Sequence, residues 1–184
     1  MNEGKTMDQG DRIRRAIEEH EGPLLRYAGR LVRDLDLARD AVQETLLTLC
    51  REPQAASQEG LREWLYVVCR HRALEILRKE KRMQTAHERG AAAGAIRTTA
   101  PDRAEARSDR GEQSGRAARI IGSLPERQQE IVRLKFQSGL SYREIARVMD
   151  LSVSNVGVTL HTAMKAIRRA MSEEAGKAAE AGRI

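Results

Sequence analysis

The sequence predicts an all-α fold: two small helical domains joined by a flexible linker. Three observations carry this. Aromatic residues make up only 3% of the 184 residues and Pro occurs four times, while Ala, Leu, Arg and Glu are abundant. Such a composition favours helix and disfavours a β-sandwich or barrel. Apolar residues recur at helical spacing over 11–82 and again over 116–171. Between them, 83–115 is rich in Ala, Gly, Arg, Ser and Asp and nearly devoid of large apolar side chains. That segment cannot bury enough surface to offset the entropy of ordering it, so it reads as a linker with, at most, transient helix.

Residues 1–10 are polar and read as disordered. From Asp11, the residues Ile13, Ile17, Leu24, Ala28, Leu31 and Val32 keep one face across two helical pieces. Gly22-Pro23 interrupts them; Pro23 either opens the second piece or kinks a continuous helix. Asp34 and Asp36 offer N-caps for a helix over 37–51. Its buried stripe is Ala38, Ala41, Val42, Thr45, Leu46 and Leu49, with Asp40, Gln43 and Glu44 on the opposite, exposed side. A polar loop, REPQAASQEG, follows over 51–60. A long helix is predicted over 61–82, with Leu61, Trp64, Leu65, Val68, Ile76 and Leu77 apolar and a basic second half. On this pattern Trp64 belongs to the core and Tyr66 is the more exposed ring.

The second domain opens at 116–122. Ser123 and Glu126 have the spacing of a capping box, with Pro125 in the first turn. Ile131, Val132 and Leu134 carry the apolar side of that helix, and Phe136 and Leu140 close the connection to the next. Ser141 and Glu144 form a further capping box, starting a helix whose inner face is Ile145, Ala146 and Met149. Asp150-Leu151 is the turn, since Asp is among the few non-Gly residues that visit the left-handed region. Ser152 caps a helix with the stripe Val156, Leu160, Ala163 and Ile167. Two helices joined by so short a turn form a helix-turn-helix, whose second helix enters the DNA major groove. The tail over 172–184 is polar and is predicted to fray.

The formal charge of +6 suits a polyanionic partner. No apolar run is long enough to span a membrane, and the first residues lack an apolar signal core, so a cytoplasmic location is the expectation. Cys50 and Cys69 lie on apolar helical stretches without a CxxC or neighbouring His pattern and read as buried small hydrophobes. There is no phosphate loop, metal-ligand cluster or nucleophile–base signature. No enzyme activity, cofactor or metal is therefore expected. On the C-terminal domain alone, a stand-alone helix-turn-helix regulator is the rival reading.

The N-terminal domain separates the two readings. DAVQETLLTLCRE, Asp40 to Glu52, and LREWLYVVCRHRALEILRKEKR, Leu61 to Arg82, resemble region 2 of the sigma-70 family of bacterial transcription initiation factors. The stretch from LPERQQEIVRLKF at Leu124 through the last helix resembles region 4. The two-module layout is similar to the extracytoplasmic-function (ECF) group, and the resemblance covers about four fifths of the chain. It implies region 2 over 11–82, region 4 over 116–171, and a sigma factor that directs core RNA polymerase to promoters by recognising −10 and −35 elements.

The partners so implied are core polymerase, through its β′ clamp helices and β flap, and promoter DNA; an anti-sigma factor is a common further partner in the family. By resemblance, Asp40, Gln43 and Glu44 meet the clamp helices, where acidic and amide groups can pair with Arg. Tyr66, Arg70, His71, Arg72, Glu75, Arg78, Lys79 and Arg82 are assigned to the −10 element, the basic ones to phosphates and the aromatic to base stacking. The 51–60 loop would cradle a flipped base. His71 and Glu75 stand where the family commonly has Asn and Asp. The −35 set is Arg143, Ser152, Ser154, Asn155, Val158, Thr159, Lys165, Arg168 and Arg169, with Thr162 and Arg147 nearby. Gly157 and Thr159 replace commonly basic residues, so base reading leans on Asn155, on methyl contacts and on DNA shape.

Overall fold

Asp8 opens the first helix of this computed structural model, which describes residues 8–57, 59–88 and 109–181. Its carboxylate accepts the Gln9 N–H at 2.8 Å, and α1 runs Gln9–Val32. Helix therefore begins inside the 1–10 stretch expected to be disordered; residues 1–7 lie outside the described residues. Pro23 does not divide α1 into two pieces. Ala16 and His20 before it, and Leu24, Tyr27 and Ala28 after it, are buried on one continuous face. Packing on both sides outweighs the roughly 3 kcal/mol that an interior Pro costs.

Arg33 ends α1 in the left-handed region, φ 56°, its N–H donating to the Gly29 carbonyl at 2.9 Å. Asp34 then caps α2, Leu35–Arg51, accepting from the Asp36 and Leu37 N–H groups at 2.9 and 3.0 Å. A short 3-10 helix, Pro53–Ser57, leads to α3, Leu61–Glu88. These elements form one core from Leu24, Tyr27 and Ala28 of α1, Ala41, Thr45 and Leu49 of α2, and Leu65, Tyr66, Cys69 and Ala73 of α3.

Two readings of that core change. Tyr66 is 2% exposed, its ring edge-on to Tyr27 with centroids 5.1 Å apart, whereas Trp64 is half-buried. The inner face of α3 is turned from the expected stripe, with Leu65, Tyr66, Cys69 and Ala73 buried along it. Cys50 is exposed rather than buried. Cys69 is buried, and burial pushes its thiol up to about 12, the Thr45 hydrogen bond acting the other way. Burial likewise depresses the pKa of His20.

The second unit comprises α4 (Asp109–Gly122), α5 (Glu126–Phe136), α6 (Tyr142–Met149) and α7 (Val153–Ala181). The segment expected as linker is thus helical at both ends, in α3 to Glu88 and in α4 from Asp109; residues 89–108 lie outside the described residues. The Ser123–Glu126 capping box does not form. Pro125 occupies the N-cap position, and Ser123 Oγ instead donates to the Ile120 carbonyl at 2.8 Å. The Gln129 amide bridges this turn, donating to the Gly122 and Leu124 carbonyls. Phe136 is 60% exposed, and Leu140 alone closes the connection to α6 from within the core.

The tail does not fray at Met171. Helix α7 continues to Ala181, and Arg116 on α4 grips it, with Nε 2.6 Å from Glu174 and a terminal nitrogen donating to the Met171 carbonyl at 3.0 Å. The capping box at Ser141–Glu144 is complete in both directions. Ser141→Ala is expected to lower the stability of this unit by about 1 kcal/mol. An unshifted urea midpoint would show that the cap contributes nothing.

Candidate nucleic-acid and polymerase interface

Each helix carrying predicted contact residues turns a core stripe inward and those residues outward. In α2 the buried positions are Ala38, Ala41, Val42, Thr45 and Leu49. At 100° per residue, Asp40 and Gln43 fall opposite them with Glu44 beside, and all three are exposed. Leu47 lies in the middle of this polar face and is 40% exposed. It borders a groove of about 440 Å³ between α1 and α2, lined also by Ile17, Leu25, Gln43, Leu46 and Cys50. Sequence reasoning missed this apolar component. The signal was available: Leu47 lies about 160° from Leu49, the last residue of the buried stripe.

In α3, His71, Glu75, Arg78, Lys79 and Arg82 are exposed, and Arg70 and Arg72 are half-exposed along the flanks. Glu75 draws two of them together, accepting from Arg72 at 3.0 Å with His71 Nδ1 at 3.7 Å. Arg72 therefore reaches any phosphate only by leaving or sharing that carboxylate. Tyr66 does not join this face. Its burial against Tyr27 corrects the exposure expected of it, and a ring so placed has no face open for base stacking.

The second unit builds its outward face with two local devices. Asp150 takes the left-handed conformation, φ 53°, its N–H pointing back to α6 carbonyls. Ser152 Oγ then accepts the Asn155 N–H at 3.1 Å, opening α7. Val156, Leu160 and Ala163 face the core. Opposite them Ser154, Val158, Thr162, Lys165 and Arg169 form an exposed row, with Asn155 and half-buried Thr159 on one flank and Gly157 on the other. Val158 is 64% exposed and Val153 45%. Arg143, Arg147 and Arg168 are exposed. Arg169 is paired with Glu173 at 2.8 Å, and that partner raises its pKa. Ser152, Ser154, Asn155, Val158, Lys165, Arg168 and Arg169 are thus brought to one open helix surface.

Among the described residues there is no group of His, Cys, Asp and Glu able to hold a metal ion, and no helix long and apolar enough to cross a membrane.

Two sigma-70 family descriptions match this chain: region 2 over residues 16–83 and region 4 over residues 114–167. Among curated proteins, the ECF RNA polymerase sigma factor SigL of Mycobacterium tuberculosis is 28% identical over 163 residues, covering 88% of this chain and 89% of that protein. The RNA polymerase sigma factor YlaC of Bacillus subtilis is 26% identical over 168 residues, covering 91% and 96%. Among solved structures, the sigma factor RpoE, crystallised with the anti-sigma factor NepR from Bartonella quintana, matches with a TM-score of 0.63 at 19% identity. It covers 86% of this chain and 96% of that one, and at that identity the likeness is one of fold.

Proposed function

The chain belongs to the sigma-70 family of RNA polymerase sigma factors, in its extracytoplasmic-function group, and on that premise we propose how its surfaces divide the work of promoter-directed initiation. The first unit binds core polymerase through the outward face of α2. Asp40, Gln43 and Glu44 supply charge and amide groups there, and Leu47 supplies an apolar centre ringed by polar groups, the usual anatomy of an interface. Helix α3 meets the −10 element. Arg78, Lys79 and Arg82 neutralise phosphates directly, and Arg70 and Arg72 approach from the flanks. The second unit sets α7 in the major groove of the −35 element. A cytoplasmic location follows from these partners, and the reading gives the chain no catalytic step.

The observation that carries the proposal is the arrangement of α7. A capped, core-anchored helix presents an amide, hydroxyls and two exposed valines at its N-terminal end, with cations only further along. Phosphate contacts from Arg143, Lys165, Arg168 and Arg169 hold the helix in register without reading sequence. Base reading falls to Asn155, whose amide can pair with an adenine edge, and to Val158 and the Thr159 methyl against thymine methyls. An A·T-rich −35 element is therefore expected.

Run-off transcription with core polymerase across a −35 promoter library tests this. Asn155→Ala is expected to flatten the preference at one position of the element, at about 1–3 kcal/mol of lost discrimination. An unaltered preference profile would move the base readout off α7.

A further inference from the structure

Helix α3 turns a band of cations outward, and a carboxylate stands in the middle of it. On the helical wheel His71, Arg72, Arg78, Lys79 and Arg82 all lie within about 60° of Glu75, while buried Ala73 lies about 160° away. Glu80, the other acid between positions 70 and 82, is half-buried and lies about 140° from Glu75, off the band. Glu75 is exposed, and its Oε2 accepts from Arg72 Nη1 at 3.0 Å and lies 3.7 Å from His71 Nδ1.

The hold on Arg72 is a loose one. Its Nη1 donates to the carboxylate, but its Nε is buried and has no hydrogen-bond partner among the described residues. The paired, parallel bonds that make an Arg–carboxylate contact strong are not in use. An exposed pair of this kind gives up its cation to a better acceptor, and a phosphate oxygen is one. The pair must still open before Arg72 can neutralise that phosphate.

We infer that Glu75 is a brake on the −10 strand, acting by competing with phosphate oxygens for the Arg72 guanidinium. This rests on α3 meeting the −10 element. Carboxylate and phosphate are both anionic acceptors for the same donor, so the DNA gains only the difference between the two contacts. Phosphates carry no sequence information, so the brake lowers the grip on every unpaired strand alike and leaves the choice of bases to other groups. It also makes the number of phosphates neutralised smaller than the number of cations on the band, which flattens the dependence of binding on salt.

The test uses the full chain assembled with core RNA polymerase. Binding is measured across a salt series to labelled promoter DNA whose −10 segment is held open by mismatches, and to a matched DNA in which the open segment is scrambled. Glu75→Gln keeps the size of the side chain and removes its charge. Affinity is expected to rise about threefold on both DNAs at low salt. The plot of log affinity against log salt is expected to steepen by about 0.7, the value for one further phosphate on a single strand. In an Arg72→Gln background the same replacement is expected to change neither quantity. Unsubstituted affinity and slope for Glu75→Gln overturn the inference. A gain that survives without Arg72 does so too, because it would mean plain repulsion of the backbone, and a gain on one DNA alone would make Glu75 a base reader instead. Arg78→Gln run in parallel separates the two levels. If it weakens binding and flattens the slope while Glu75→Gln is silent, α3 stays at the −10 element and only the brake falls. If both are silent, the α3 reading falls and takes the brake with it.

Discussion

Glu44→Arg is expected to weaken binding to core RNA polymerase by about tenfold or more, with folding unaffected. Glu44 is exposed on α2, beside Asp40 and Gln43 and one turn before Leu47. Reversing a charge at a complementary surface both removes an attraction and introduces a repulsion, so the effect exceeds that of a neutral replacement. The Thr48 hydroxyl donates to the Glu44 carbonyl at 2.8 Å, a bond that does not depend on the Glu44 side chain and persists. Arg also has higher helix propensity than most alternatives, which keeps α2 intact. Competition binding against the unsubstituted chain measures the loss; equal competition would remove this face from the polymerase contact.

Ile145→Ala is the second large effect. Ile145 is fully buried, on the helix whose two ends are fixed by the Ser141–Glu144 capping box and by Asp150. Truncating a buried Ile costs about 2–5 kcal/mol through lost transfer energy and a residual cavity. Set against a typical domain stability of about 5–15 kcal/mol, that is enough to unfold a marginal unit. The two units have separate cores, so the first should retain its own stability. The expected result is loss of −35 preference with polymerase binding largely kept, and a denaturant curve in which one phase moves and the other does not. A single phase shifting as a whole would show that the units unfold together.

Sequence reasoning succeeded where the deciding signals are local. The helix-turn-helix was legible because each part is set within a few residues: the Ser141–Glu144 box, the tolerance of Asp150 for positive φ, the Ser152 cap, and the Val156–Leu160–Ala163 stripe. The outward positions of Asp40, Gln43 and Glu44 were legible for the same reason, since six apolar or small residues fix the opposite face of α2.

It failed where packing partners distant in sequence decide. Pro23 leaves two readings open, the start of a second piece or a continuous helix, and α1 is continuous because α2 and α3 hold it on both sides. Tyr66 reads as exposed because Trp64 completes a plausible stripe. The ring turns inward to meet Tyr27, thirty-nine residues earlier in the chain. Ser123 has the spacing of a cap, but Pro125 displaces the helix start beyond its reach. The tail offers only small Ala and Gly among its polar residues before Ile184, and its helix is held instead by Arg116, which composition cannot reveal.

That grip has a practical consequence for dissecting the protein. Arg116 stands near the start of the second unit, while Glu174 and the Met171 carbonyl stand near its end. The edges of an excised fragment are therefore set by this clasp rather than by motif boundaries. A piece cut to 114–167 keeps the guanidinium and discards both acceptors, leaving α4 to rest on contacts such as Ile120. A piece carried through Glu174 closes the unit end to end, and that length is the one suited to isolated DNA-binding measurements.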